Sequence, residues 1–390
     1  MIFVWINKRN WKMPGPIVNV AVHNAASFAA LGYETHLCIG AGPDSDTDSD
    51  LQEFYGLPPR KHFAVHRVPR FRLGSSSYSA SVFHHACGLI RELSQKDHVT
   101  VITRESGFLA PLAWLCRHPK ISGFYELHDF YADLSWVENR ESGHYREKLY
   151  EHLFLPRLTG LICITQEQQK LYRQVFPSIP SCAFPLGTKP VSARDTEARR
   201  QRRTLMYVGR MHGEKGIDFL LRTAARLSAS GIRTLFWGGK AEKIPFFREK
   251  ARRFGADGFT EFVPFQPPVR MHRALAEQAS LGVVMLQDTF YNRYLTCPVK
   301  ALDYLSHGIP AIGSDIPSVR EVLGDAGIYM RPDDTDGFVR SVETLLDDPA
   351  TYEKAAAMTR QRAGAISWEN RARNISAFAA DLRKHHGAKH

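Results

Sequence analysis

Short apolar runs alternate with stretches of helical period along almost the whole chain, and this alternation constrains the fold more than any other feature. The runs cover residues 2–6, 34–39, 99–103, 123–127 and 161–165, then 204–208, 234–237, 259–263, 282–286 and 311–313. Most are continuously apolar rather than alternating. Strands buried on both faces read this way, and they belong to parallel sheets covered by helices. Between them, Ile217, Leu220, Leu221 and Ala224 fall at i, i+3, i+4 and i+7, which predicts one apolar helical stripe after Gly216. Repeated strand–helix units mean an α/β fold.

The 390 residues suit two domains, each able to bury its own core. The pattern breaks near residues 185–203. There Pro185-Leu186-Gly187-Thr188-Lys189-Pro190 is turn chemistry, and Arg199-Arg200-Gln201-Arg202-Arg203 reads as a solvated linker. Two similar α/β halves would present a cleft at the carboxyl ends of their strands, where such folds bind ligands.

With 44% hydrophobic and 23% charged residues, the chain is neither disordered nor fibrous. Its mean hydropathy is −0.29, and no apolar run nears the roughly 20 residues of a spanning helix. Its opening run predicts a buried strand rather than a signal peptide, hence a cytoplasmic protein. No pair of its 6 cysteines has CxxC spacing, so reduced, buried thiols are expected and no metal framework. His385, His386 and His390 read as a solvated tail. A net charge of +11 calls for an anionic partner: nucleic acid, an acidic membrane or a phosphorylated small molecule. The arginine run lacks interleaved aromatic residues for stacking on bases, which argues against nucleic acid.

Three stretches carry chemistry. In Tyr207-Val208-Gly209-Arg210, with Glu214-Lys215-Gly216 beyond it, a strand meets a glycine, a basic loop and a helix start. Gly209 lets the backbone approach a ligand. Arg210 and Lys215 supply charge beside a helix N-terminus, a natural diphosphate site. In Asn292-Arg293-Tyr294-Leu295-Thr296-Cys297-Pro298-Val299-Lys300, Thr296 is expected as an N-cap and Pro298 as the first helical residue. Asp303 then lies more than a turn inside, where its carboxylate can accept from a ribose diol. In Glu126-Leu127-His128-Asp129, polar residues end a strand: His128 can donate to a sugar hydroxyl or stabilise a developing charge, Glu126 and Asp129 can orient it or bind hydroxyls, or else Asp129 caps the next helix and His128 is a satisfied core histidine. Tyr145, Leu149, Leu153 and Phe154 with Arg146, Lys148 and Arg157 make either an ordinary packed helix, the preferred reading, or an interfacial one.

Together these motifs resemble the retaining glycosyltransferases of family 4, glycosyl transferases group 1. The similarity is strong over residues 204–332, including Gly308-Ile309-Pro310, Ser314-Asp315 and Arg320-Glu321, and loose over residues 1–120. The resemblance implies the GT-B fold, two Rossmann-like domains facing a central cleft. Residues 1–188 would bind the acceptor and 189–367 the donor, with a last helix at about 368–390 packing back on the first. It implies transfer of a hexosyl group from a UDP- or GDP-sugar, with retention and without a metal or other cofactor. The acceptor would be a glycan or lipid-linked polysaccharide precursor at the inner face of an anionic membrane. Arg210, Lys215 and His128 would be catalytic. Gly209, Asn292, Tyr294, Thr296, Cys297, Pro298, Val299 and Asp303 would hold the donor, with amides at 296–299 on its phosphates. The family's paired glutamates are replaced by Leu295 and Asp303, so Asn292, Tyr294 or Thr296 is expected at the sugar. The rival reading is a non-catalytic subunit that binds a nucleotide or a partner.

Overall fold

The computed structural model describes residues 1–73, 76–191, 195–211 and 215–387. His212, Gly213 and Glu214 of the basic loop, and His390, lie outside the described residues. The chain divides into two compact units, Met1–Leu186 with Trp368–His390, and Gly187–Ser367.

The first unit is built on seven parallel strands: β1 (Ile2–Asn10), β2 (Thr35–Gly40), β3 (Phe63–Val68), β4 (Val99–Thr103), β5 (Ile121–Leu127), β6 (Gly160–Cys163) and β7 (Ser181–Ala183). They lie in the order β3-β2-β1-β4-β5-β6-β7. Helix α1 (Pro16–Ala30) covers one face. The core joins Phe3, Trp5, Phe28 and Phe124 to Ala372, Ile375 and Ala379 of the last helix.

The second unit repeats the plan with β8 (Thr204–Val208), β9 (Arg233–Gly239), β10 (Thr260–Pro264), β11 (Leu281–Val284), β12 (Ala311–Ser314) and β13 (Gly327–Met330), ordered β10-β9-β8-β11-β12-β13 and all parallel. In both sheets the order reverses beside the first strand. That reversal opens a crevice at the carboxyl ends of β1 and β4, and of β8 and β11. Both units are Rossmann-like.

The arginine run is not a solvated linker. Residues Thr196–Gln201 form a helix, and Arg199 is buried at 2% exposure, donating to the Gly308 carbonyl at 2.9 Å. Arg202 donates to the Ala276 carbonyl at 2.9 Å, and Arg203 pairs with Asp347 at 2.7 Å. Carbonyls at helix ends need donors, and arginine brings several on one stem. None of the six cysteines forms a disulfide, and four are buried.

Candidate active site

In the second unit the crevice begins at Gly209, whose φ is 123° and whose amide donates to the Trp237 carbonyl at 2.8 Å. A β-carbon on the facing Gly238 would stand 2.8 Å from the Gly209 carbonyl oxygen, so the two loops meet backbone to backbone. The Tyr207 hydroxyl donates to the Arg210 carbonyl at 2.6 Å, which fixes the turn and leaves Arg210 exposed. Helix α3 (Ile217–Ala229) starts after Gly216, whose φ is 75°. Lys215 stands just before it and donates to Asn292 Oδ1 at 3.0 Å.

Opposite lies α4 (Val299–Ser306), pinned by Tyr304. The Tyr304 hydroxyl donates to the Met206 carbonyl at 2.8 Å and accepts from the Val208 amide at 3.1 Å. Gly282 on β11 leaves room for this ring, since a β-carbon there would lie 2.4 Å from it. The start of α4, with amides that lack intrahelical partners, is thereby held by the end of β8. Two expectations are corrected here. Pro298 is the N-cap, not the first helical residue. Thr296 does not cap: a π-helical turn, Tyr291–Leu295, precedes it, and its hydroxyl turns back to the Tyr291 carbonyl at 3.2 Å. Cys297 and Pro298 are buried, Val299 half-buried.

Asn292, expected at the sugar, is already engaged within the protein. It is 1% exposed, its amide nitrogen donates to the Gln287 carbonyl at 2.9 Å, and its oxygen holds Lys215. Leu295 is buried in the core. Tyr294 stays half-buried against Phe290 at 4.9 Å.

Lys300 was not anticipated. Its Nζ lies 3.7 Å from the Tyr207 ring centroid, is buried, and has no hydrogen-bond partner among the described residues. A cation over a desolvated ring gains about 2 kcal/mol. Taking an ammonium out of water costs several kcal/mol even after relaxation, so the ring alone does not offset the burial. Burial, and then the nearby Lys215 charge, hold the amine well below its usual pKa, against the pull of Asp303. Asp303 is pushed up to about 7 by burial, opposed by Lys300. It keeps 16% side-chain exposure, and His272 Nε2 lies 3.8 Å from its Oδ1. Asp303 is therefore neither the exposed helical carboxylate nor an ordinary buried one.

In the first unit, His128 Nε2 donates to Glu126 Oε1 at 2.6 Å, and Arg371 of α5 (Trp368–Gly387) donates to Glu126 Oε2 at 2.8 Å. Glu126 is 1% and Arg371 2% exposed. Burial would raise the carboxyl, but Arg371 and then His128 outweigh it and hold Glu126 at about 2. Burial first, then Arg104, depress His128 to about 4 against the pull of Glu126. The imidazole is thus neutral. The tautomer is assigned from its carboxylate partner, which leaves Nδ1 as an acceptor. A neutral ring in this tautomer can accept a hydrogen bond at Nδ1 but cannot donate one there. Asp129 caps no helix, because the next one, α2 (Ser142–Phe154), starts 13 residues on; its carboxyl is raised by burial against Arg104.

Helix α2 corrects the packed-helix reading. Tyr145 and Leu149 are each 54% exposed and Leu153 43%, while Glu151 faces inward at 1%. The Tyr172 hydroxyl donates to Glu151 Oε1 at 2.7 Å, and Oε2 has no partner among the described residues. Burial, opposed by Tyr172, pushes Glu151 from 4.5 up to about 8. A carboxyl raised on folding favours the native state below its unfolded pKa, and that advantage is lost as pH rises through the folded value. Thermal melts should therefore show Tm falling between about pH 5 and 8. Glu151→Gln should flatten that slope and melt higher than wild type at pH 8.5; an unchanged slope would reject the buried acid as its source.

Residues 202–348 match the family model "Glycosyl transferases group 1". The match falls wholly within the second unit, Gly187–Ser367. The chain is 28% identical over 175 residues to an alpha-D-kanosaminyltransferase of Streptomyces kanamyceticus, a stretch covering 42% of this chain and 44% of that protein. It thus spans less than half the length of this curated relative. Among solved structures it is similar to a sucrose-phosphate synthase of Thermosynechococcus elongatus, with TM-score 0.70, 16% identity and 98% of each chain covered. Anabaena HepE in complex with UDP-glucose gives 0.69 at 12% identity, covering 98% of this chain and 100% of that one. The chain has the GT-B fold of these structures. The family-matched unit is the one that holds Gly209, Lys215, Lys300 and Asp303. No group of His, Cys, Asp or Glu among the described residues is arranged to hold a metal ion.

Proposed function

We propose that this chain is a glycosyltransferase that moves a hexosyl group from a nucleotide-diphosphate sugar to a glycan or lipid-linked acceptor, with retention of anomeric configuration. The observation that carries the reading is the cationic crevice at β8 and β11 of the family-matched unit, where Lys215 and Lys300 both lie beside a helix start and repel one another. Anabaena HepE holds UDP-glucose in its complex, which supports a UDP-sugar as the first donor to test and a GDP-sugar as the second.

In this reading Arg210, Lys215 and the amides at 296–299 take the diphosphate. Asp303 takes the ribose, and its protonation near neutral pH lets it donate as well as accept. The glycosyl–phosphate bond breaks, its electron pair leaves on the diphosphate, and the cations stabilise that charge. The acceptor oxygen bonds to the sugar carbon and its proton passes to the leaving phosphate or to solvent. His128, held by Glu126 and Arg371, accepts from a hydroxyl of the transferred sugar.

A thermal-shift panel of nucleoside diphosphates and their sugars tests the donor, since a ligand that binds only the native state raises Tm. No shift with any of them would remove the donor reading. A second reading, a binding subunit without turnover, is favoured by the buried Leu295 where the family carries an acid. Release of free sugar, with or without acceptor, separates the two.

The exposed stripe Tyr145, Leu149 and Leu153, flanked by the exposed Arg146 and Arg157, supports a peripheral site on an anionic membrane at the cytoplasmic face. No helix among the described residues is long and apolar enough to cross a membrane. Vesicles of mixed neutral and anionic lipid should sediment the wild-type protein, and Leu149→Glu should cut the bound fraction severalfold. Equal binding to purely neutral vesicles would reject the electrostatic part.

A further inference from the structure

Lys300 sits where three separate effects oppose a positive charge. Its Nζ is buried and has no hydrogen-bond partner among the described residues. It occupies the second position of α4, at the positive end of the helix dipole. Lys215 stands close enough to repel it. The groups facing it are Tyr207 of β8, Lys215 before α3 and Asp303 of α4, with His272 behind Asp303. A β-carbon on Gly209 would lie 3.7 Å from Lys300 Cε and 3.9 Å from Nζ, so the ammonium borders the space that the glycine keeps open. A leucine or methionine would fill this place at lower cost. What all three effects favour is an anion, and a compact one that enters beside Gly209.

We propose that Lys300 is a third phosphate-binding cation, which reaches the donor diphosphate from the α4 side opposite Lys215. This deepens the donor reading above and rests on it. The side chain contributes little to the empty protein and gains its partner when a nucleoside diphosphate arrives. It is thus a residue at which stability and ligand binding pull apart.

The test is calorimetric titration of the full chain with UDP and GDP, beside thermal melts, for wild type, Lys300→Met and Lys300→Gln. Both variants should weaken the nucleoside diphosphate that binds wild type by about tenfold or more, as loss of a charged hydrogen bond does. The corresponding monophosphate should lose less. Lys300→Met should also melt a few degrees higher than wild type without ligand, because a buried amine with no hydrogen-bond partner among the described residues is replaced by an apolar group. If neither UDP nor GDP binds wild type, the donor reading fails and this inference with it. If one binds wild type and both variants within twofold, the Lys300 assignment alone is overturned. Lower melting of both variants with intact binding would assign Lys300 to packing on Tyr207 and overturn it too. A wild-type measurement needs no variant: at pH 8, titrations in buffers of different ionisation enthalpy should show proton uptake on nucleotide binding, and none at all would count against the proposal.

Discussion

Lys215→Ala is expected to lower kcat by about a hundredfold or more, the usual cost of losing one preorganised group that stabilises developing charge. The preorganisation is visible in the structure. Asn292 is locked between the Gln287 carbonyl and the Lys215 ammonium, and the Tyr291 ring lies 5.9 Å from that ammonium. The lysine therefore meets the substrate with little reorientation left to do, which is what makes such a charge effective. Because the leaving diphosphate carries more charge in the transition state than in the bound donor, the loss should fall on kcat more than on KM. Arg210→Ala should behave alike. Initial rates of nucleotide release from a sugar nucleotide, with acceptor, measure both. Turnover like wild type in the two variants would remove the phosphate roles.

Arg371→Met should destabilise the first unit by about 3–5 kcal/mol, because it strands a buried carboxylate. Glu126 and Arg371 are 1% and 2% exposed, and among the described residues no second cation replaces the guanidinium on Oε2. For a domain of this size that corresponds to a fall in Tm of roughly 10 °C. The pH dependence has a definite sign. Glu126 is lowered from 4.5 to about 2 on folding, so it adds stability above pH 4.5 that drains away as pH falls towards 2. In the variant that window should close, and Glu126→Gln in the same chain should restore part of the lost Tm. A single variant that melts with wild type would show that the pair contributes nothing net.

Central strands were legible because burial on both faces leaves a continuous apolar run, as at Val99–Thr103 and Thr204–Val208, where the expected and observed bounds coincide. Three of the four edge strands were not; the fourth, Thr260–Pro264, was expected at 259–263. Phe63–Val68 carries His66 and Arg67 and is half-buried throughout, and Ser181–Ala183 and Gly327–Met330 are short. One wet face dilutes the pattern that identifies a strand. The candidate site shows the same divide. Gly209, Lys215 and Asp303 lie in local motifs, and backbone demands mark them. Lys300 closes the motif at residues 292–300 and reads there as filler, although a cation in the first turn of a helix is itself a signal. Arg371 gave none, since its carboxylate is 245 residues away along the chain. Nor does sequence spacing distinguish an arginine that caps carbonyls, such as Arg199, from one in water.

Helix α5 belongs to the first unit although the whole second unit is translated before it. Vectorial synthesis therefore reverses the usual order, in which the leading domain matures first. The second unit can close as soon as its own residues clear the ribosome. The first must wait with Phe124 and its neighbours short of Ile375 and Ala379, and with Glu126 short of its guanidinium. The nascent first unit, its seven strands made but its last helix still missing, is the stage at which chaperones would meet this chain.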